Sequence, residues 1–556
     1  MGNCLPTAPS NSLLPIETVF KLPSQVPPWP QGGGFASGGI NIGGLEVRQI
    51  STFKKVWATL EGGPDNLGAT FFEPWPIPDG FFMLGCYAQP NNKSLFGWVL
   101  VGKDVQNDPS QGTLKMPVDY RLVWSSESMK MKKEGNGYIW LPIPPDGYTA
   151  GGLILTNSPT KPPLEKVRCV HSDLTDLCEQ DTWIWGTDRE RPESNTSEVS
   201  VYGLRPTIRG ARALGVSIGT FTVQLAGVDT ALSLSCLKSA DSNFSCMPNL
   251  TQIKALVQAY SPSIYLHPDE TYMASSVNWF FNNGALLYKK GDESNPVSID
   301  PNGSNLPQGG SNDGEYWLDL PVDEGARDEV MKGDLQSSTA YLHIKPMLGA
   351  TFTDVSTWIF YPFNGPGRAK LRLINIPLGK IGEHVGDWEH VTLRISNFTG
   401  ELWRVYFSEH SGGTWVNASE VEYHSANNIV AYASLHGHAF YSKPGLVLQG
   451  NSNLDIGIRN DTAKSNIVID TSMRYEVISA EYLSEVIEPP WLNYYRKWGP
   501  EISYAIGNEL SLVENLLPGE LKSVFTTIIG AIPDEVLGEE GPTGPKVKNN
   551  WNGDDV

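Results

Sequence analysis

Val391-Thr392-Leu393-Arg394-Ile395 alternates apolar and polar residues, the pattern of a half-buried strand. Carried backwards, the same phase puts Asp387 and Glu389 on the face of Val391, Leu393 and Ile395. Short alternating or apolar runs bounded by Gly, Pro, Asn and Asp recur along most of the chain and predict a mainly β protein. Between about 36 and 247 they carry an internal echo. Pro76-Ile77-Pro78-Asp79-Gly80-Phe81 returns as Pro142-Ile143-Pro144-Pro145-Asp146-Gly147-Tyr148, each a turn leading into a small Gly-containing strand. Repeated turn-and-strand units predict pseudo-symmetric sheets, as in a β-prism, with Val199-Ser200-Val201-Tyr202-Gly203-Leu204 standing where a third unit is expected.

Residues 213–237 carry one charge, Asp229, and are long enough to suggest a membrane span. Interleaved Thr, Ser and Gln, and alternation in Phe221-Thr222-Val223-Gln224-Leu225, instead predict buried strands closing the first domain; a membrane-inserting hairpin is the alternative. Residues 250–260 place Ile253, Leu256 and Val257 at helical spacing and predict a linking helix. The expected division is a mobile Pro-, Ser- and Gly-rich leader over 1–35, a β-prism-like domain over 36–247, a β-sandwich over 248–490, and a short helical and polar tail over 491–556. In the tail, 502–517 and 520–529 read as helices, and Trp551 is expected to dock on its own protein.

Among 556 residues, 61 Asp and Glu outweigh 41 Lys and Arg, a net charge of −20. No basic stripe is present to displace counterions, so no nucleic-acid partner is expected. Nor does an acidic surface favour purely electrostatic attachment to anionic lipid, so membrane affinity must come from an anchor, apolar insertion or headgroup recognition. Met1-Gly2-Asn3-Cys4 offers an anchor: Gly2 is positioned for myristate and Cys4 for palmitate, and two chains hold where one does not. No charged stretch leads into an apolar core at the N-terminus, so the expectation is a cytoplasmic protein, peripheral at membranes and not secreted by a standard signal. The six cysteines form no Cys-x-x-Cys; Cys169/Cys178 and Cys236/Cys246 are spaced to close short loops in an oxidising compartment and are otherwise thiols.

Two carboxylates on an apolar strand face are costly unless a cation, a ligand hydroxyl or a proton meets them. They belong to His384-Val385-Gly386-Asp387-Trp388-Glu389-His390, which packs two imidazoles beside them. Leu435-His436-Gly437-His438 follows the apolar Val430-Ala431-Tyr432-Ala433; on a strand His436 and His438 share a face and reach one ligand. The segments 265–270 and 409–413 bring further His and Glu. Asp387 and Glu389 suit Mg²⁺ or Ca²⁺ better than Zn²⁺, whereas a His436/His438 pair suits Zn²⁺.

Tyr265-Leu266-His267-Pro268-Asp269-Glu270, the 384–390 segment, Leu435-His436-Gly437-His438-Ala439, the Met-Gly-Asn-Cys start and Gly541-Pro542-Thr543-Gly544-Pro545-Lys546 resemble the plant vacuolar protein sorting-associated protein 62-like family over essentially the whole chain. That resemblance implies a first domain like the β-prism modules of endosomal sorting and lectin-like proteins, in a group that includes plant proteins pursued as insecticidal. More distantly, His384-Val385-Gly386-Asp387-Trp388-Glu389 matches the His-x-x-Asp-Trp-Glu core of the necrosis- and ethylene-inducing peptide-like cytolysins, with Trp358-Ile359-Phe360-Tyr361-Pro362 as a weaker likeness. This second resemblance implies a β-sandwich holding a divalent cation through Asp387, Glu389 and His384, and binding sphingolipid sugar headgroups. That family's upstream Asp has no counterpart between Asp354 and Asp387, where Asn364 stands.

The resulting expectation is a protein that recognises lipid or glycan headgroups through His384, Asp387, Trp388, Glu389, His436 and His438, with no catalytic residue assigned. Membrane damage in defence, including insecticidal pore formation by a homo-oligomer, is one outcome. A trafficking factor, a metal-dependent hydrolase using Asp387, Glu389 and His384, and a scaffold are the alternatives.

Overall fold

The computed structural model describes residues 13–106, 112–186, 199–227, 232–241, 244–371, 373–410, 412–451, 456–501 and 542–555. Gly2, Cys4 and the two helices expected within 502–529 lie outside them.

In the first domain, three antiparallel three-stranded sheets surround one aromatic core. They are built from Phe53–Ala58, Ala69–Pro74 and Tyr87–Pro90; from Asp119–Ser125, Tyr138–Ile143 and Ile154–Thr156; and from Cys178–Gly186, Val199–Pro206 and Phe221–Leu225. Each sheet contributes one tryptophan. Trp57, Trp124 and Trp185 meet edge to face with centroids 5.9, 6.1 and 5.7 Å apart, within the favourable range for such pairs. The two Pro-Asp-Gly echoes close identically: Phe81 N–H donates to the Pro78 carbonyl at 3.0 Å and Tyr148 N–H to Pro145 at 3.1 Å. Gly80 and Gly147 both take φ +79, which favours glycine. Val199–Pro206 is the middle strand of the third sheet, the place that Ala69–Pro74 and Tyr138–Ile143 hold in the other two.

The second domain contains a six-stranded sheet formed by β1 (Ala340–Met347), β2 (Phe352–Asn364), β3 (His384–Ser396), β4 (Leu402–Glu409), β5 (Gly412–Asn417) and β6 (Tyr475–Ser479), in the order β5-β4-β3-β2-β1-β6. A four-stranded sheet, Phe440–Tyr441, Val430–Ala433, Ser263–Tyr265 and Val468–Asp470, belongs to the same apolar cluster. Val355, Ile359, Val391, Leu393 and Ile395 of the large sheet share that cluster with Ile264, Ala431, Ala433 and Ile469 of the small one. It continues through Met247 and the helix Leu250–Tyr260 into Ile40, Leu45, Val47 and Val216 of the first domain, so the two halves share one core.

The opposite face of β2 and β3 is also buried. There Phe360 and Trp388 join Trp491 and Trp498. The C-terminal segment covers the same face: Trp551 stacks on His343 at 3.7 Å, and Asp554 reaches Arg394 at 2.5 Å. The tail Trp therefore docks on its own protein.

One expectation is corrected. Residues 13–35, expected within a mobile leader, form a pinned strap. Trp29 donates its indole N–H to the Thr399 carbonyl at 2.9 Å, Ser24 exchanges two hydrogen bonds with Asn427, and Phe20 N–H donates to Leu95 in the first domain. Buried Ile16 and half-buried Trp29 offset the ordering entropy that composition alone emphasises. The five cysteines in the described residues are free thiols, and the sulfur that meets Cys178 belongs to Cys236, brought close by the sheet, rather than to Cys169.

Trp551→Ala is expected to cost about 3–5 kcal/mol by removing a buried ring from this face. Urea unfolding measures it; an unchanged midpoint would show that the tail is not part of the fold.

Candidate functional site

The site forms where three segments leave the sandwich at one end. Ser263–Tyr265 and Val430–Ala433 pair in parallel, with Tyr265 opposite Tyr432. Parallel neighbours exit a sheet at the same end, so residues 266–272 and 434–439 emerge side by side. There they meet the start of β3, which pairs antiparallel with β2 so that Asp387 faces Tyr361 and Glu389 faces Ile359. Gly386 just before takes φ +69, and a Cβ would lie 2.7 Å from the Trp498 carbonyl oxygen, so a side chain is excluded at this bend.

Asp387, Glu389 and Glu270 are 7%, 4% and 5% exposed. His438 Nδ1 lies 3.0 Å from Asp387 Oδ2, and Nε2 lies 3.1 Å from the Tyr272 carbonyl. The His438 ring stacks on Tyr361 with centroids 3.8 Å apart and planes 6° apart. Glu270 gathers the two loops: it accepts from the backbone N–H groups of Thr271 and Tyr272 at 2.9 Å each and of His436 at 2.6 Å, and lies 3.2 Å from His436 Nδ1. Ser408 on β4 donates its hydroxyl to Glu389 and accepts from His390 N–H at 2.9 Å. His384 turns Nδ1 to the Gly386 carbonyl at 3.0 Å. In front of these groups opens a cavity of about 90 Å³, lined by Asp387, Glu389 and His384 together with Lys548 and with Arg368 and Arg459, which both pair with Asp461.

Burial opposes charge on Asp387, but the His438 hydrogen bond and the nearby His384 and Lys548 outweigh it and hold the carboxyl below its ordinary range. Burial likewise opposes charge on Glu270; the His436 and backbone hydrogen bonds and the charge of His438 prevail and bring it down to about 2. Burial pushes His384 down despite Asp387. Both His438 nitrogens face acceptors, so the pair with ionised Asp387 is complete when the ring carries two protons. Asp387 and Glu270 are thus buried, ionised acceptors, and Lys548 lies close enough to Asp387 to favour its charge.

The vacuolar protein sorting-associated protein 62 family model matches residues 16–555. The chain belongs to this family. No curated protein matches it. Among solved structures it is similar to GNIP1Aa from Chromobacterium piscinae, at 20% identity and TM-score 0.27 over 38% of this chain and 40% of that one. It is also similar to Necrosis and Ethylene inducing Protein 2 from the causal agent of cocoa's Witches Broom disease, at 12% identity and TM-score 0.18 over 34% and 67%. NLPPya, in its complex with mannosamine, matches at 12% identity and TM-score 0.19 over 34% and 66%. The chain spans well under half of GNIP1Aa, and scores of this size establish no common architecture.

In this family member the structure gathers Asp387, Glu389, His384, His436 and His438 at one end of the sandwich but leaves Trp388 out. Strand alternation turns Trp388 to the other face, against Phe360, Trp491 and Trp498. His436 and His438 do not sit on a strand. They lie in a turn, at φ +70 and +54, with His438 N–H donating to the Ser434 carbonyl at 3.0 Å. Left-handed backbone is costly for histidine, and the bonds to Glu270 and Asp387 hold it there. His390 faces away from the cavity and pairs with Asp555 at 3.2 Å. Glu270 enters the sequence reading only within the 265–270 segment, with no role of its own; a Glu closing His-Pro-Asp-Glu at a strand exit was the available signal. Among the described residues no three His, Cys, Asp or Glu side chains form a group that could hold a metal ion. The donors present therefore do not fit a divalent cation held by Asp387, Glu389 and His384 together.

Because Glu270 is brought from 4.5 to about 2, its ionised form stabilises the native state above pH 4.5, and that contribution is lost as pH falls towards 2. The expected loss is roughly 3 kcal/mol. Glu270→Gln should therefore be less stable than wild type at pH 6, with the gap closing by pH 2. Urea unfolding across pH measures this, and a gap independent of pH would contradict it.

Proposed function

We propose that this protein recognises the hydroxyl or amine groups of a glycan headgroup, free or carried on a membrane lipid, at the cavity in front of Asp387 and Glu389. One observation carries the reading: two nearly buried carboxylates on an apolar strand face still line a cavity open to the outside. Desolvated carboxylates are strong acceptors, and sugar hydroxyls or an ammonium supply the donors. Lys548 in the lining, with Arg368 and Arg459 outnumbering the one Asp461 that they share, suits the phosphate of a lipid headgroup. His438 has both nitrogens engaged, which supports a binding frame over acid–base chemistry. Membrane damage in defence, by a homo-oligomer on the surface, or recognition in trafficking would each follow from such binding. Dye release from liposomes separates them.

Glu389→Gln and Asp387→Asn should each weaken binding to sphingolipid-containing liposomes at least tenfold while unfolding stays cooperative. Normal binding by both variants would contradict the reading. Chelator should leave wild-type binding unchanged; its loss with EDTA and return with Ca²⁺ or Mg²⁺ would restore the expected cation on Asp387, Glu389 and His384.

Acylation of Gly2 and Cys4 belongs to the same proposal as a way of holding the cavity near a membrane. Gly2→Ala should move the protein from the membrane to the soluble fraction of a plant cell, and unchanged fractionation would count against it.

A further inference from the structure

A second, larger cavity of about 670 Å³ lies between the first domain and the outer face of the six-stranded sheet. Its walls include four tryptophans, Trp98, Trp183, Trp403 and Trp415, beside Gln89 and Asn417. Its charges are balanced except in one place. Arg394 forks onto Asp354 at 2.9 and 2.8 Å and also meets Asp554 at 2.5 Å. Arg209 pairs with Glu179 at 2.7 Å and Asp554 at 3.1 Å, Arg205 with Glu179 at 2.9 Å and Asp181 at 3.3 Å, and Lys93 with Glu420 at 2.8 Å. Arg404 has no carboxylate within 4.0 Å among the described residues. Its guanidinium lies over the Trp415 ring at 5.3 Å, and its cross-strand partner on β3 is Arg394, another cation. Like charges opposite one another in a sheet are unfavourable unless an anion joins them.

Three N–H donors of residues lining this cavity also meet no acceptor among the described residues. They are Arg404 Nε, Trp183 Nε1 and Trp403 Nε1, each shielded within its surroundings. Buried donors are nearly always satisfied, and three unsatisfied ones in the walls of one cavity set it apart from the packed core. Tryptophans beside amide and charged groups suit the apolar C–H face and hydroxyl edge of a sugar.

We propose that this cavity is a second ligand site, separate from the Asp387 cavity, and that it takes a mono- or disaccharide carrying a carboxylate or sulfate that pairs with Arg404 while its ring stacks on tryptophan. The volume matches one or two sugar rings, and the planar guanidinium fork matches either anion.

Isothermal titration of the full chain with digalacturonic acid, N-acetylneuraminic acid and glucose 6-sulfate, against neutral lactose, tests it. At least one anionic sugar should bind at one site per chain, with affinity that falls as salt rises and exceeds that of lactose. Arg404→Gln should weaken that sugar at least tenfold, and Glu389→Gln should leave it unchanged, which keeps this site distinct from the first. Should Arg404→Gln fold poorly, Arg404→Lys keeps the charge, loses the planar fork and should weaken binding severalfold with an unaltered melt. No binding by any of the three anionic sugars, equal binding of lactose, or full affinity in folded Arg404→Gln would each overturn the proposal.

Discussion

Strand β3 is buried on both faces and carries charge on both, and the rest of the second domain is arranged to satisfy it. On one face Arg394 forks onto Asp354 of the neighbouring strand, and the C-terminal segment adds Asp554 as a second carboxylate on the same guanidinium. On the other, Asp387 is met by His438 and Glu389 by Ser408. Breaking a buried pair by removing one member leaves an uncompensated charge, at a cost typically of about 3–5 kcal/mol. This is why the loops at 266–272 and 434–439, the tail and the start of β3 must assemble together. It also places the two β3 carboxylates that line the cavity, Asp387 and Glu389, among the first residues of the strand.

The phase of β3 was legible because alternation is local: Asp387, Glu389, Val391, Leu393 and Ile395 fall on one face by counting alone. That same count puts Trp388 on the other face, and the motif resemblance drew it wrongly into the site. Glu270 was not legible. Its partners His436 and His438 lie 166 and 168 residues away in sequence, and a loop carboxylate has no period to betray it. The His436–His438 turn defeated the strand reading because tertiary hydrogen bonds hold two histidines in left-handed backbone that propensity disfavours.

The first domain shows the reverse situation, a signal present but short. Val56-Trp57-Ala58, Val123-Trp124-Ser125 and Ile184-Trp185-Gly186 each put a β-branched residue, a tryptophan and a small residue at the same point of a sheet. Three residues in each of three copies fall below what repeat-spotting by eye resolves, yet they form the axis of the domain. In the strap, Pro and Gly suggested mobility, while Ile16, Trp29 and the backbone bonds of Ser24 decide the outcome because burial outweighs local stiffness.

A scaffold with ionised acceptors at one end, a shared core and a tail locked underneath gives a binding cavity that needs no rearrangement to form. Hydrogen exchange with and without sphingolipid-containing liposomes tests this most directly. The account predicts added protection in peptides covering 384–390 and 434–439, absent in Glu389→Gln, with the first domain unaffected. Protection confined to the first domain, with 384–390 unchanged, would contradict it.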